Sequence, residues 1–189
     1  SDGLHTLREM VEGARARGFK YIAICDHSRS AGYANGLSIE RVAEQHQEID
    51  SLNAEYDDFR ILKGIESDIL PDGSLDYPDE VLSSFDLVVA SVHSVFNMSK
   101  ENMTNRIIRA LKNPYTTILG HPTGRLLLAR DGYPVDLTRL IAEAVNNDVA
   151  IEVNANPDRL DLDWRHLDYG LSQGVMYSLG PDAHRIDEL

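Results

Sequence analysis

The chain has 189 residues, 42% of them apolar, and a formal net charge of −13, enough for one domain with a real core and ordinary for a globular protein. No apolar run approaches the roughly 20 residues that span a bilayer and no basic-then-apolar signal opens the chain, so a membrane span is excluded and the cytoplasm is the expected location. The acidity argues against a basic nucleic-acid surface, whose cations neutralise phosphates, and the lone Cys25 excludes an internal disulfide.

Helices and strands alternate along the chain. Residues 5–18 have helical spacing through Leu7, Met10, Val11 and Ala14, with Gly18 as the stop. YIAICDH (21–27) is a strand, and a polar loop leads to helix 37–56, with Ser38 as N-cap and Arg41 at N3. Strand 60–65 follows, then two turn signals, Pro-Asp-Gly and Tyr-Pro, within 70–78. Strand 86–92 leads to helix 99–112, closed by Asn113-Pro114. Strand 116–120, a long loop through Tyr133-Pro134, helix 136–147, strand 149–153, the polar stretch NANPDRLDLD, helix 164–173 and strand 175–179 complete the pattern. Such alternation implies an α/β fold with parallel strands and right-handed crossovers. Six strands are visible and the first element is a helix, so the expectation is a barrel-like domain over 1–189 whose first strand is missing, Ser1-Asp2-Gly3 being the loop that would follow it.

Five of the apolar runs end on metal-grade ligands. They deliver His27, Glu66, His93, His121, Asp182 and His184, so that four of the seven histidines stand at strand ends. The C-terminal ends of successive parallel strands converge on one mouth of an α/β barrel, where catalytic groups sit. Asp2 joins them as a seventh candidate. Any one of these histidines alone could hydrogen-bond to backbone; the joint pattern carries the inference. Glu66 and Asp68 alternate on this reading, so that one of them, Glu66, faces the mouth. Asp26 either orients its neighbour His27 or pairs with a loop amide. Cys25 is expected in the core, and His5, His46 and His166 on solvated helix surface.

Imidazole nitrogen mixed with carboxylate oxygen suits zinc, manganese or iron rather than magnesium or calcium. Seven ligands exceed the needs of one tetrahedral ion, and two or three ions sharing carboxylates are expected. Such a cluster clamps the attacking and leaving oxygens of a phosphoester and acidifies a bound water. Arg125 and Arg159, each in a loop just beyond a site-bearing strand, are candidates for phosphate contacts through the guanidinium fork; the competing reading for each is a plain pair with a carboxylate.

The Ser-Asp-Gly start, CDHS (25–28), GIESDI (64–69), SVHS (91–94), LGHPTGRLL (119–127), EVNANPDRLDL (152–162) and DAH (182–184) resemble the PHP (polymerase and histidinol phosphatase) domain, and more narrowly the one attached to bacterial and archaeal family X DNA polymerases. The resemblance implies a distorted TIM-like (β/α)7 barrel and a trinuclear, manganese-dependent 3′–5′ exonuclease or phosphoesterase. It implies a first metal on Glu66 and Asp182 together with an HxH pair, a second on Glu66, His93 and His121, and a third on Asp2, His27 and His184. The HxH pair is not in this sequence, which puts the first metal of the fragment in question. Cys25 stands where Thr is usual, and Gly180-Pro181 where a small hydroxyl residue is usual.

The leading expectation is therefore an exonuclease or DNA-end phosphoesterase of a repair polymerase, with Glu66, Asp182 and His184 at the chemistry, a DNA 3′ end or phosphate ester as substrate, and a polymerase domain upstream. A stand-alone phosphatase of small phosphomonoesters such as histidinol phosphate is the first alternative. A metal-stabilised module without activity is the second.

Overall fold

A computed structural model describes residues 1–189. Six strands, β1 (Tyr21–His27), β2 (Arg60–Asp68), β3 (Leu87–Ser91), β4 (Ile118–Leu119), β5 (Ala150–Asn154) and β6 (Tyr177–Gly180), form one sheet in sequential order, and every neighbouring pair is parallel. The helices are α1 (Leu7–Ala16), α2 (Ile39–Asn53), α3 (Asp79–Leu82), α4 (Lys100–Leu111), α5 (Leu137–Asn146) and α6 (Leu167–Gln173). The sheet curls without closing, and β1 and β6 are its two edges. The exposed apolar side chains of Tyr21 on β1 (65%) and Leu179 on β6 (79%) mark those edges.

Local chemistry explains the helix starts. Thr6 accepts the N–H of Glu9 while Glu9 accepts that of Thr6, a reciprocal capping box at α1. Ser38 accepts the N–H of Arg41 at the start of α2, as its position predicts. The four-residue α3 was not anticipated, being too short to show a period. The strand at 60–65 runs on to Asp68, which carries Glu66 and Asp68 within it.

The two sheet faces have separate roles. The outer face carries Ile65, Val88, Ala90, Leu119 and Ile151, all buried with Met103, Ile107, Leu140 and Ile141 of α4 and α5 in one apolar core. A smaller core joins Val11 and Ala14 of α1 with Ile49 and Leu52 of α2, Phe59 and Ile61. The inner face lines a cavity of about 900 Å³ with Leu62, Leu87, Val89, Ile118, Glu152 and Ser178. His46 leaves the solvated surface expected of it: it stacks edge-on against Phe85 at 4.9 Å, and burial lowers its basicity. His5 precedes α1 and accepts the N–H of Ile186 at 3.4 Å. No helix is long and apolar enough to cross a membrane.

Candidate metal centre

The ends of β1, β2, β3, β4 and β6 and the segment before α1 bring the candidate ligands to one rim. Glu66 stands at the middle. Its Oε2 lies 3.3 Å from Nδ1 of His27, and its Oε1 lies 3.2 Å from Nε2 of His93 and 3.0 Å from Nε2 of His121. A second group adjoins it, with Oδ2 of Asp2 3.9 Å from Nε2 of His27 and 3.7 Å from Nε2 of His184. His27 thus presents one nitrogen to each group, and each set of three, Asp2–His27–His184 and His27–Glu66–His93, could hold an ion. Asp182 is turned aside: its carboxylate accepts from Nδ2 of Asn154 at 3.1 Å and faces Nε of Arg159 at 3.4 Å.

The donor set fits divalent metal. Nδ1 of His27, Nε2 of His93 and Nδ1 of His121 are buried without a hydrogen-bond partner, a cost that native interiors avoid unless an ion or water completes them. Imidazoles around a shared carboxylate are ligands for zinc, manganese or iron. Burial opposes the charge on Glu66, but the adjacent His121 and His93 imidazoles outweigh it and hold the carboxyl well below its usual range.

The expected alternation of Glu66 and Asp68 is wrong. Residues two apart on a strand share a face, and the Asp68 carboxylate reaches the same mouth, 2.5 Å from Nδ1 of His93. It fixes the His93 tautomer and leaves Nε2 toward Glu66. Burial works against the His93 imidazolium, yet Asp68 and Glu66 prevail and push it up to about 9. The Ser30 hydroxyl donates to the other Asp68 oxygen at 2.6 Å.

His121 is positioned by its backbone instead. Its φ is +22°, outside the ordinary region for a non-glycine residue, and its N–H donates to Oε2 of Glu152 at 2.6 Å. Gly120, just before it, is needed there: a Cβ would lie 2.3 Å from the Ser91 hydroxyl. Burial raises Glu152 to about 7. In the sequence Asp68 is expected to turn away from the mouth, whereas Glu152 carries no role there; the signal for Glu152 is a carboxylate inside the apolar run AIEVN, on the strand's inward-facing parity.

Other expectations resolve as follows. Asp26 lies against the Ser1 nitrogen, in the segment that carries Asp2, and accepts from Gln45 rather than from His27. The Ser1 hydroxyl in turn accepts the N–H of His27 at 3.2 Å. Arg125 donates to Asp163 at 2.7 Å, to the carbonyl of Arg159 at 2.9 Å and to that of Leu160, which spends its fork on loop structure. Arg159 takes the carboxylate pair as well, but within the site on Asp182, and its Nη1 is buried and unpaired. Nδ1 of His184 meets the carbonyl of Asp182 at 2.8 Å, aiming Nε2 at Asp2.

One further residue reaches the centre. Tyr33, on a short 3₁₀ turn between β1 and α2, places its ring 6.0 Å from that of His27 and 6.3 Å from that of His93. Burial and the carboxylates of Asp68, Glu66 and Asp2 push its phenol up to about 12.

No family model matches the chain. It is 49% identical over all 189 residues to the DNA polymerase/3′–5′ exonuclease PolX of Bacillus subtilis, of whose length it spans 33%. It is 32% identical over 154 residues to a Thermoanaerobacter protein assigned as a phosphatase, covering 79% of the chain and 58% of that protein. Among solved structures it matches a Listeria monocytogenes protein assigned as the histidinol phosphatase HisK, with a TM-score of 0.77, 14% identity and coverage of 99% and 92% of the two chains. It also matches the histidinol phosphate phosphatase of Lactococcus lactis, solved with zinc, L-histidinol and phosphate, at a TM-score of 0.66 and 18% identity, covering 98% and 82%.

Proposed function

We propose that this PHP-type chain, like PolX in sequence and like the histidinol phosphatases in fold, hydrolyses phosphoesters at two or three divalent ions, and that it is the 3′–5′ exonuclease or DNA-end processing part of a cytoplasmic family X repair polymerase. The observation that carries the reading is the Glu66 carboxylate within 3.3 Å of imidazole nitrogens at or just past the ends of three separate strands. Glu66, His27, His93 and His121 would hold one part of the cluster, and Asp2, His27 and His184 the other. When bound, the ions supply an acidified water and a clamp for the phosphoryl oxygens. Zinc, manganese and iron all suit this donor set.

The chain's own groups do the rest. Asp68 takes Nδ1 of His93 and so turns Nε2 toward Glu66, where that nitrogen would shed its proton to an ion, and Glu152 holds His121 against the same carboxylate. Asp182, with Asn154 and Arg159 on its carboxylate, lies where an incoming phosphate would exchange for it on the guanidinium. The catalytic roles of Glu66, Asp182 and His184 belong to this proposal. So does a polymerase region that holds the DNA, since an acidic domain has little to grip it with and the chain spans a third of its PolX relative.

The phosphatase relatives favour a second reading, hydrolysis of small phosphomonoesters. Bis(p-nitrophenyl) phosphate, p-nitrophenyl phosphate and a 5′-labelled single-stranded oligonucleotide, each with manganese, separate the two. Diester cleavage with stepwise shortening from the 3′ end is expected. Monoester cleavage alone would transfer the chain to the phosphatases, and tight metal binding without any hydrolysis would leave a structural module.

A further inference from the structure

Tyr33 is 72% exposed although its backbone belongs to a loop tied down by several hydrogen bonds. Ala31 and Ala34 on either side of it are buried to 0% and 1%. The N–H of Gly36 donates to the carbonyl of Ala31, and that of Leu37 to the carbonyl of His27. Asn35 closes the turn in the left-handed region at φ +53°. Asp76 accepts from the Ser30 N–H at 2.7 Å, and Arg29 donates to the Asp76 carbonyl at 2.6 Å. The ring stands tilted beside His27 and edge-on to His93, the imidazole that joins the two ligand groups and its neighbour, with most of its surface open to solvent.

Charge narrows what such a ring is for. Three arginines of the loops around the mouth are engaged by carboxylates, Arg29 with Asp76, Arg125 with Asp163 and Arg159 with Asp182, and Arg41 spends its guanidinium on Asn35 and the Gly36 carbonyl. In a chain of net charge −13 the affinity for a nucleic-acid end cannot rest on phosphate neutralisation by side chains. An aromatic face that stacks a base is the uncharged alternative, tolerant of sequence because every base has a π-face.

We propose that Tyr33 is the platform on which the terminal nucleobase of a single-stranded end stacks while its phosphoester lies over the Glu66 centre. This deepens the phosphoesterase reading and rests on it: Tyr33 would select nucleotide ends over phosphate esters that lack a ring.

The test is a binding cycle that requires no turnover. A 5′-fluorescein thymidylate octamer with phosphorothioate linkages, and the same octamer with an abasic 3′ terminus, are titrated with manganese present against the parent chain and against Tyr33→Ala, Tyr33→Leu and Tyr33→Phe. Tyr33→Ala should weaken binding of the normal octamer about tenfold, as should removal of the base, and the two losses together should be no larger than either alone. Tyr33→Phe should bind like the parent. Additive losses, an equal loss in Tyr33→Phe, or a parallel fall in manganese affinity measured by calorimetry would each overturn the proposal, the last by making Tyr33 a support for the imidazoles. Tyr33→Leu, which keeps apolar bulk, should behave as Tyr33→Ala; full retention by leucine would also overturn it. Hydrolysis of bis(p-nitrophenyl) phosphate by the parent chain reports separately on the phosphoesterase reading.

Discussion

The carboxylate of Glu152 accepts the backbone N–H of His121 at 2.6 Å, across from a Cα held at φ +22°. A strained, non-glycine backbone at a ligand persists only where its surroundings over-determine it, and Glu152 is the polar half of that restraint. Glu152→Ala should therefore weaken metal affinity about 10- to 100-fold, the range typical of groups that orient a ligand. Glu152→Gln retains an acceptor oxygen and should lose far less. Calorimetric titration with zinc or manganese measures both, and an alanine variant with full affinity would contradict the assignment.

Glu66→Ala should cost more activity than any other single ligand change, because this carboxylate serves the three histidines together. A loss well beyond about 100-fold in diester hydrolysis, with fewer ions retained per chain, is the expected outcome. Its removal would also leave paired cations less neutralised in a site of low effective dielectric. Metal content by mass spectrometry and steady-state rates together settle it; a milder loss than that of His93→Ala would argue against a shared carboxylate.

In the metal-free chain the His93 imidazole, raised to about 9 against an ordinary 6.5, is protonated at neutral pH. Its folded value lies above the unfolded one, so the stability of the His93–Asp68 pair is fully present below about 6.5 and is lost as pH rises through 9. An ion needs the neutral ring, so metal uptake at pH 7.5 should release close to one proton from this residue. Asp68→Asn should remove most of that release and flatten the fall in thermal midpoint between pH 7 and 10 measured in chelator. Calorimetry in buffers of different ionisation enthalpy reads the first effect and thermal scans the second; an unchanged proton count in Asp68→Asn would refute the coupling.

Arg125 and Arg159 should separate cleanly. Arg125→Ala leaves Asp163 with Arg165 but strips two loop carbonyls of their donor and should lower stability by about 1 kcal/mol with kinetics largely intact. Arg159→Ala removes the partner of Asp182 and should raise KM for a phosphoester with a smaller effect on the thermal midpoint. Thermal unfolding and steady-state kinetics on the two variants distinguish them; the reverse pattern would exchange their roles.

The ligands His27, His93, His121 and His184 were legible because each ends or follows a short apolar run that alternates with a helix, and parallel topology sends all such strand ends the same way. The six strands were legible for the same reason, although β4 proves to be only Ile118–Leu119. What escaped were the groups that act across strands. Glu152 lies within a strand rather than after it, and its partner is a backbone N–H 31 positions away. The Asp68 assignment failed on parity alone. Asp182 could be seen at its strand end, but its pairing with Arg159 depends on how the loop after β5 folds back, which no periodicity records. Tyr33 carries no sequence signal at all, since an exposed tyrosine in a polar loop is ordinary until its neighbours are known.

β1 and β6 share no hydrogen bonds, yet His27 ends the first and His184 follows the second, with Asp2 between them. An ion on these three residues would tie the segment before α1 to the ends of β1 and β6 by coordination. Its binding free energy would then appear as resistance to local opening of these segments, growing with free-ion concentration as linkage requires. Stripping the ion should free the two rims first. Amide exchange would quicken along Tyr21–His27 and Tyr177–Gly180 while the β2–β3 seam stays shut, so this half of the centre would serve as a fastener as much as a reactor.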